Sequence, residues 1–153
     1  MLVVQGRPGS STSSRGEIDM GAESPLTLES FYTFCAQKKL MGARCRSCRA
    51  ILVPPRALCP KCGSMDIRWT KLKGTGKLLT YSVVHVASPA FQSSVPYAVG
   101  IVQLTEGARL LGMIRTNLKD LRIGLNLKVA FEPRRPESWP PWVRYCFVRA
   151  RSH

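Results

Sequence analysis

The sequence predicts a mainly β protein: an N-terminal helix, a rubredoxin-like zinc ribbon and a C-terminal five-stranded OB-fold barrel. Three observations carry that prediction. Two Cys-x-x-Cys pairs stand ten residues apart, five β-patterned segments follow them, and one short helical segment lies between the third and fourth of these. The expected division is a disordered extension over 1–24, the helix over 25–40, the ribbon over 41–73 and the barrel over 74–153.

Residues 1–24 contain Gly6, Pro8, Gly9 and a Ser/Thr run, with nothing to bury. Met20 is a candidate natural start, which N-terminal mass spectrometry of natively expressed protein would test. Ser24-Pro25 or Thr27 can cap the helix that follows. Leu28, Phe31, Tyr32 and Cys35 recur at i, i+3, i+4 and i+7 and form one apolar stripe. Lys38 and Lys39 suit its negative C-terminal end. So short a helix must dock on something. Its own ribbon is the simpler choice. Phe34, off the stripe, points to the other choice, a second subunit touched by Phe31, Tyr32 and Phe34.

The cysteine region reads Cys45-Arg-Ser-Cys48, then Cys59-Pro-Lys-Cys62-Gly63. Two such pairs can each form a knuckle and meet at one tetrahedral ion. A residue after the second cysteine often needs positive φ, and Gly63 supplies it. Disulfides do not suit a chain without an export signal. A redox motif would occur once, at a helix start in a βαβ context. The expectation is therefore one structural Zn2+ per chain, held by Cys45, Cys48, Cys59 and Cys62, with no open position for catalysis. It would stabilise a ribbon too small to do so by apolar burial. Cys35 and Cys146 lack partners at ligand spacing and read as ordinary buried cysteines.

Beyond the ribbon, 67–72, 77–86, Tyr97–Leu104, 109–114, 125–131 and 143–148 have strand character, and 117–123 reads as a helical turn closed by Gly124. Gly74 and Gly76 allow a sharp turn where ribbon passes to sheet. Five strands from Lys77 onward with one interposed helix is the OB arrangement. In that fold the loops at 85–96 and 132–142 flank the binding face. They carry Phe91, Trp139, Trp142, Arg134 and Arg135, with Arg144 just beyond. Aromatics beside arginines can stack a base and hold phosphates. They can equally contact a protein, or the tryptophans can close the barrel end.

The chain has 23 Lys+Arg against 9 Asp+Glu, a formal net charge of +14. Residues 1–30 hold two arginines and four acids, so the basic excess lies in the folded part. Such a surface suits nucleic acid, anionic lipid, a polyanionic cofactor or an acidic protein. No apolar run is long enough for a membrane span. The start, apolar only over the first four residues, does not read as a signal peptide. A soluble cytoplasmic protein without membrane contact is expected. Catalytic chemistry is poorly supported. His85 and His153 are the only histidines, no nucleophile motif or phosphate loop appears, and acids are few and scattered.

The order of a helix, CRSCRAILVPPRALCPKCGS, GTGKLLTYSVVHVAS, PYAVGIVQLTEGARLLGMI and DLRIGLNLKVAFEP resembles the family of zinc-ribbon, OB-fold proteins that accompany thiolases and related acyl-CoA enzymes. The likeness covers about residues 25–150. It implies a non-catalytic accessory subunit in a hetero-oligomer with a thiolase-fold partner, which performs carbon–carbon bond cleavage or formation at an acyl-CoA thioester. It also implies help in assembly and in binding coenzyme A, whose phosphates suit arginine. Arg134, Arg135 and Arg144 are the candidates for coenzyme A, and Trp139 and Trp142 join the helix aromatics as candidates for partner contact. Arg49 departs from the family, where a glycine is common. The rival reading is a single-stranded nucleic-acid-binding ribbon and OB-fold protein.

Overall fold

A computed structural model of the chain describes residues 24–133 and 145–151. The expected disorder of the N-terminal extension therefore falls outside the described residues, apart from Ser24. One α-helix, α1 (Leu28–Ala36), precedes a three-stranded ribbon sheet and a closed barrel. The ribbon consists of β1 (Met41–Cys45), β2 (Ile51–Leu52) and β3 (Ile67–Lys71), in the order β2-β1-β3 and antiparallel throughout. The barrel consists of β4 (Thr75–Val84), β5 (Tyr97–Leu104), β6 (Arg109–Arg115), β7 (Asn126–Phe131) and β8 (Tyr145–Arg149). Its order is β4-β5-β6-β8-β7, and β7 closes on β4. β6 and β8 run parallel, and every other pairing is antiparallel. A 3₁₀ turn, Leu118–Asp120, stands between β6 and β7, and Gly124 follows it at φ +84°. The strand set and the interposed turn give the expected mainly β, OB-like barrel. The loop after β4 adds a 3₁₀ segment, Pro89–Ser94, that its sequence did not announce.

Helix α1 begins as its cap residue requires. Thr27 is extended, and its hydroxyl accepts from the Ser30 N–H at 3.2 Å. The helix ends in a Schellman turn: Lys39 N–H donates to the Phe34 carbonyl and Lys38 N–H to that of Cys35. Lys38 takes the left-handed position, φ +59°, that glycine usually fills. The expected stripe is only partly the buried one. Leu28 is 55% exposed, whereas Phe31 and Phe34 are 1% and 6% exposed. The reason is a helix wedged between two bodies. Phe31 meets the Tyr145 ring of the barrel at 6.1 Å, and Phe34 meets the Trp69 ring of the ribbon at 5.0 Å, both edge-to-face. Two aromatic rings foreseen at a partner's surface thus belong to the chain's own core, and Tyr32 alone of the three is half-exposed.

The barrel interior is filled through size complementarity. Gly100 and Gly112 lie directly opposite each other on β5 and β6. A Cβ on Gly112 would stand 2.8 Å from the Phe147 ring, which occupies that space with no exposure at all. Leu78, Val102, Leu110, Ile114 and Leu127 complete the packing. Tyr145 closes one end, its hydroxyl donating to the Leu111 carbonyl at 2.7 Å.

Ribbon and barrel meet through a hydrogen-bonded joint. Leu72 N–H donates to Leu40 O, Lys73 N–H to a carboxylate oxygen of Glu106 at 2.7 Å, and Val129 N–H to Gly74 O. Glu106 lies in the β5–β6 turn, where Thr105 also binds back to Thr75. Gly74 has φ +72°, and a Cβ there would stand 2.5 Å from Val129. Glycine is therefore needed both for the turn and for the approach.

Candidate metal centre

The two knuckles are built alike, by the same bonds at the same offsets. Arg49 N–H donates to Cys45 O, and Gly63 N–H to Cys59 O. Cys45 N–H donates to Ala50 O, and Cys59 N–H to Ser64 O. Each knuckle thus turns the chain back within six residues and leaves both sulfurs on its inner side. The fourth residue after each leading cysteine adopts the left-handed conformation, φ +73° at Gly63 and φ +61° at Arg49. Gly63 is the glycine expected there, and Arg49 accepts the same conformation with a side chain.

The four sulfurs converge within 4.8 Å of one another. Cys45 Sγ and Cys62 Sγ are 3.6 Å apart, as are Cys48 Sγ and Cys59 Sγ. A tetrahedral ion with Zn–S bonds of about 2.3 Å requires S···S edges of roughly 3.8 Å, close to these two separations, so the residues fit zinc. Their electrostatics favour it as well. The Cys48 N–H, aimed at Cys45 Sγ, contributes most to holding that thiol down to about 6, with help from Cys62 and Ser47. The Cys62 N–H, with that of Lys61, likewise lowers Cys59. At Cys62 the Ser64 N–H lowers the value, but desolvation and the three neighbouring sulfurs outweigh it and push it up to about 12. Four sulfurs so close cannot all ionise without a cation, and a divalent ion removes the conflict. Four protein ligands leave it no open position.

Around this centre the ribbon is densely basic. Lys38, Lys39, Arg44, Arg46, Arg49, Arg56, Lys61, Arg68, Lys71 and Lys73 face one acid, Asp66, in the stretch 38–73. Arg44 and Arg68 are direct cross-strand neighbours, both exposed, a like-charge opposition that costs stability. Asp66 lies 3.9 Å from both Arg46 and Arg68, in exposed pairs worth little.

Among the described residues, no other sequence-predicted position joins the four sulfurs. Arg134, Arg135, Trp139, Trp142 and Arg144 lie outside the described residues. Phe91 is half-buried, 6.3 Å from the Tyr97 ring. His85 is exposed just beyond β4. Cys35 is fully buried on the inner face of α1, and burial pushes its thiol up to about 12, so it is a packing residue. Cys146 is also buried, its thiol raised chiefly by desolvation. Sequence reasoning missed the Glu106 joint, for which the sequence offered only a Glu-Gly turn.

Two family models match the chain. Residues 34–68, which hold all four ligand-spaced cysteines, match the family described as ChsH2, rubredoxin-like zinc ribbon domain, and residues 69–132 match that described as ChsH2, C-terminal OB-fold domain. A DUF35 domain-containing scaffold protein of Methanocaldococcus jannaschii is 42% identical over 94 residues, covering 60% of this chain and 67% of the relative. A probable enoyl-CoA hydratase alpha subunit of Thermomonospora curvata is 42% identical over 118 residues, 76% of this chain but 36% of that protein. Among solved structures, a chain of the "Ltp2-ChsH2(DUF35) aldolase" superposes with a TM-score of 0.66 at 30% identity, covering 79% of this chain and 92% of that one. With ribbon, barrel and their order all shared, the chain belongs to the ChsH2/DUF35 family of zinc-ribbon, OB-fold proteins.

Proposed function

We propose that this chain is a non-catalytic accessory subunit of an acyl-CoA-processing enzyme, assembled with a partner that carries the reacting groups. One observation supports this most. The chain matches nearly the whole length of a chain from a structure named as an aldolase of two components, Ltp2 and ChsH2(DUF35). The closed tetrathiolate site fits that role, because a fully coordinated ion organises a fold and offers no Lewis-acid position. Cys45, Cys48, Cys59 and Cys62 hold the zinc in this reading, and the ribbon runs over 41–73.

In finer detail, the partner has a thiolase fold and performs carbon–carbon cleavage or formation at an acyl-CoA thioester. Arg134, Arg135 and Arg144 contact the phosphates of coenzyme A, and Trp139 and Trp142 contact the partner. The expected site of action is the cytoplasm. The test is co-expression with a thiolase-like enzyme from the same genome, followed by a thiolysis and retro-aldol assay with and without this chain. A stable complex whose turnover drops when this chain is omitted is the expected result. A partner that is fully active and never co-purifies with this chain would end the proposal.

The basic ribbon favours one second reading, a single-stranded nucleic-acid binder. A salt-sensitive gel shift with an oligonucleotide is its signature. The aliphatic outer strands of the barrel speak against it, because base stacking needs aromatic platforms.

A further inference from the structure

Phe31, Phe34 and Cys35 of α1 are buried inside the chain, but the barrel leaves an apolar face open. Along β5 the inward residues Ala98, Gly100, Val102 and Leu104 alternate with Val99, Ile101 and Gln103, which face outward. On β6, Arg109, Leu111, Met113 and Arg115 face outward. The register sets Ile101 beside Leu111 and Val99 beside Met113. These four side chains form an aliphatic strip in which Leu111 is 62% exposed and the others are half-buried. The strip ends in charge on both sides. Lys77, Gln103 and Arg109 form one row across β4, β5 and β6. Arg115 stands at the other end, paired with Glu132, the acid described there. On the β4 flank the neighbours are Thr80 and Ser82.

We propose that this outer face of β5 and β6 is the surface on which a partner protein docks, and that the partner presents an apolar patch edged by acidic side chains. The identity of the partner as an acyl-CoA enzyme rests on the function proposed above; the location of the face rests on the barrel alone. An aliphatic centre within a polar rim is the anatomy of a protein interface. Exposed apolar side chains in contiguous rows are unusual on a chain that works alone. Glu132 offsets Arg115, so the basic end of the rim is that of Lys77 and Arg109; there complementarity selects acidic side chains on the partner and steers the encounter.

The experiment uses the full chain co-expressed with a thiolase-like acyl-CoA enzyme from the same genome, comparing wild type, Leu111→Asp and Arg109→Glu by size exclusion and titration calorimetry. Leu111→Asp should weaken association at least 100-fold, while zinc content and melting temperature stay as in wild type. Arg109→Glu, at an exposed rim position that does not touch the core, should weaken it about tenfold and reverse its salt dependence. Both variants assembling as tightly as wild type would overturn the docking face and leave the accessory role intact. Wild type failing to assemble would remove the accessory role and the docking face with it. A Leu111→Asp chain that melts much earlier in isolation would show that the strip is already covered from within, and would also overturn the inference.

Discussion

The ribbon and the barrel solve the same problem by different means. The barrel encloses Leu78, Val102, Leu110, Ile114, Leu127 and Phe147 and is held by their burial. Around the cysteines the ribbon has a separate cluster of Ala43, Cys45, Cys59 and Ile67, half of which are metal ligands by spacing, while its Met41, Trp69 and Leu72 join the main core. It is also the more charged of the two, with Arg44 opposite Arg68. The contrast teaches that a few apolar residues suffice where a metal joins the chain at four points, whereas a closed sheet needs volume matched from strand to strand.

The sharpest way to break this comparison is to remove the metal. Chelation under reducing conditions should abolish protection of amides over 41–71 in hydrogen exchange, because structural zinc contributes about 10–16 kcal/mol of apparent binding energy. Peptides covering 97–115 should stay protected. Simultaneous loss in both regions, or in neither, would contradict the separation. Next in size, Phe147→Ala should cost about 3–5 kcal/mol by emptying the space above Gly112. Its melting temperature should fall while the protein still binds one equivalent of zinc.

A smaller effect distinguishes the two knuckles from each other. Arg49 is a side-chain-bearing residue in the left-handed region, so Arg49→Gly should gain about 1 kcal/mol, and Gly63→Ala should lose a similar amount. Denaturant midpoints with zinc bound would show both, and equal signs would refute the equivalence of the knuckles. The least effect concerns Cys35. Burial raises its thiol to about 12, so it stays protonated between pH 7 and 9 and should resist alkylation in the native chain. The stripped ribbon cysteines should react first, and mass mapping of the labelled sites would reveal any other order.

Much of this was readable in the residues because it is local. The spacing of Cys45, Cys48, Cys59 and Cys62 is set by how a knuckle turns, and the five barrel strands carry alternating or β-branched runs. Of the ribbon strands only β3, inside the expected 67–72, was readable; β1 and β2 were not. Met-Gly-Ala-Arg-Cys has no strand pattern of its own, and β2 is two residues long; both exist because β1 pairs with β3 on one side and β2 on the other. The role of Phe34 was equally hidden, since it depends on Trp69 arriving from 35 residues downstream. Nothing near Glu106 signals that its carboxylate will accept a bond from a residue 33 positions earlier.

That carboxylate has a mechanical consequence. Because Glu106 clamps Lys73 while Gly74 is held by Val129, the passage between ribbon and barrel is stitched from both flanks. The molecule therefore behaves as a bracket of set angle and not as two beads on a string. Whatever surface receives one arm finds the other already aimed, and little orientational freedom is left to lose on contact.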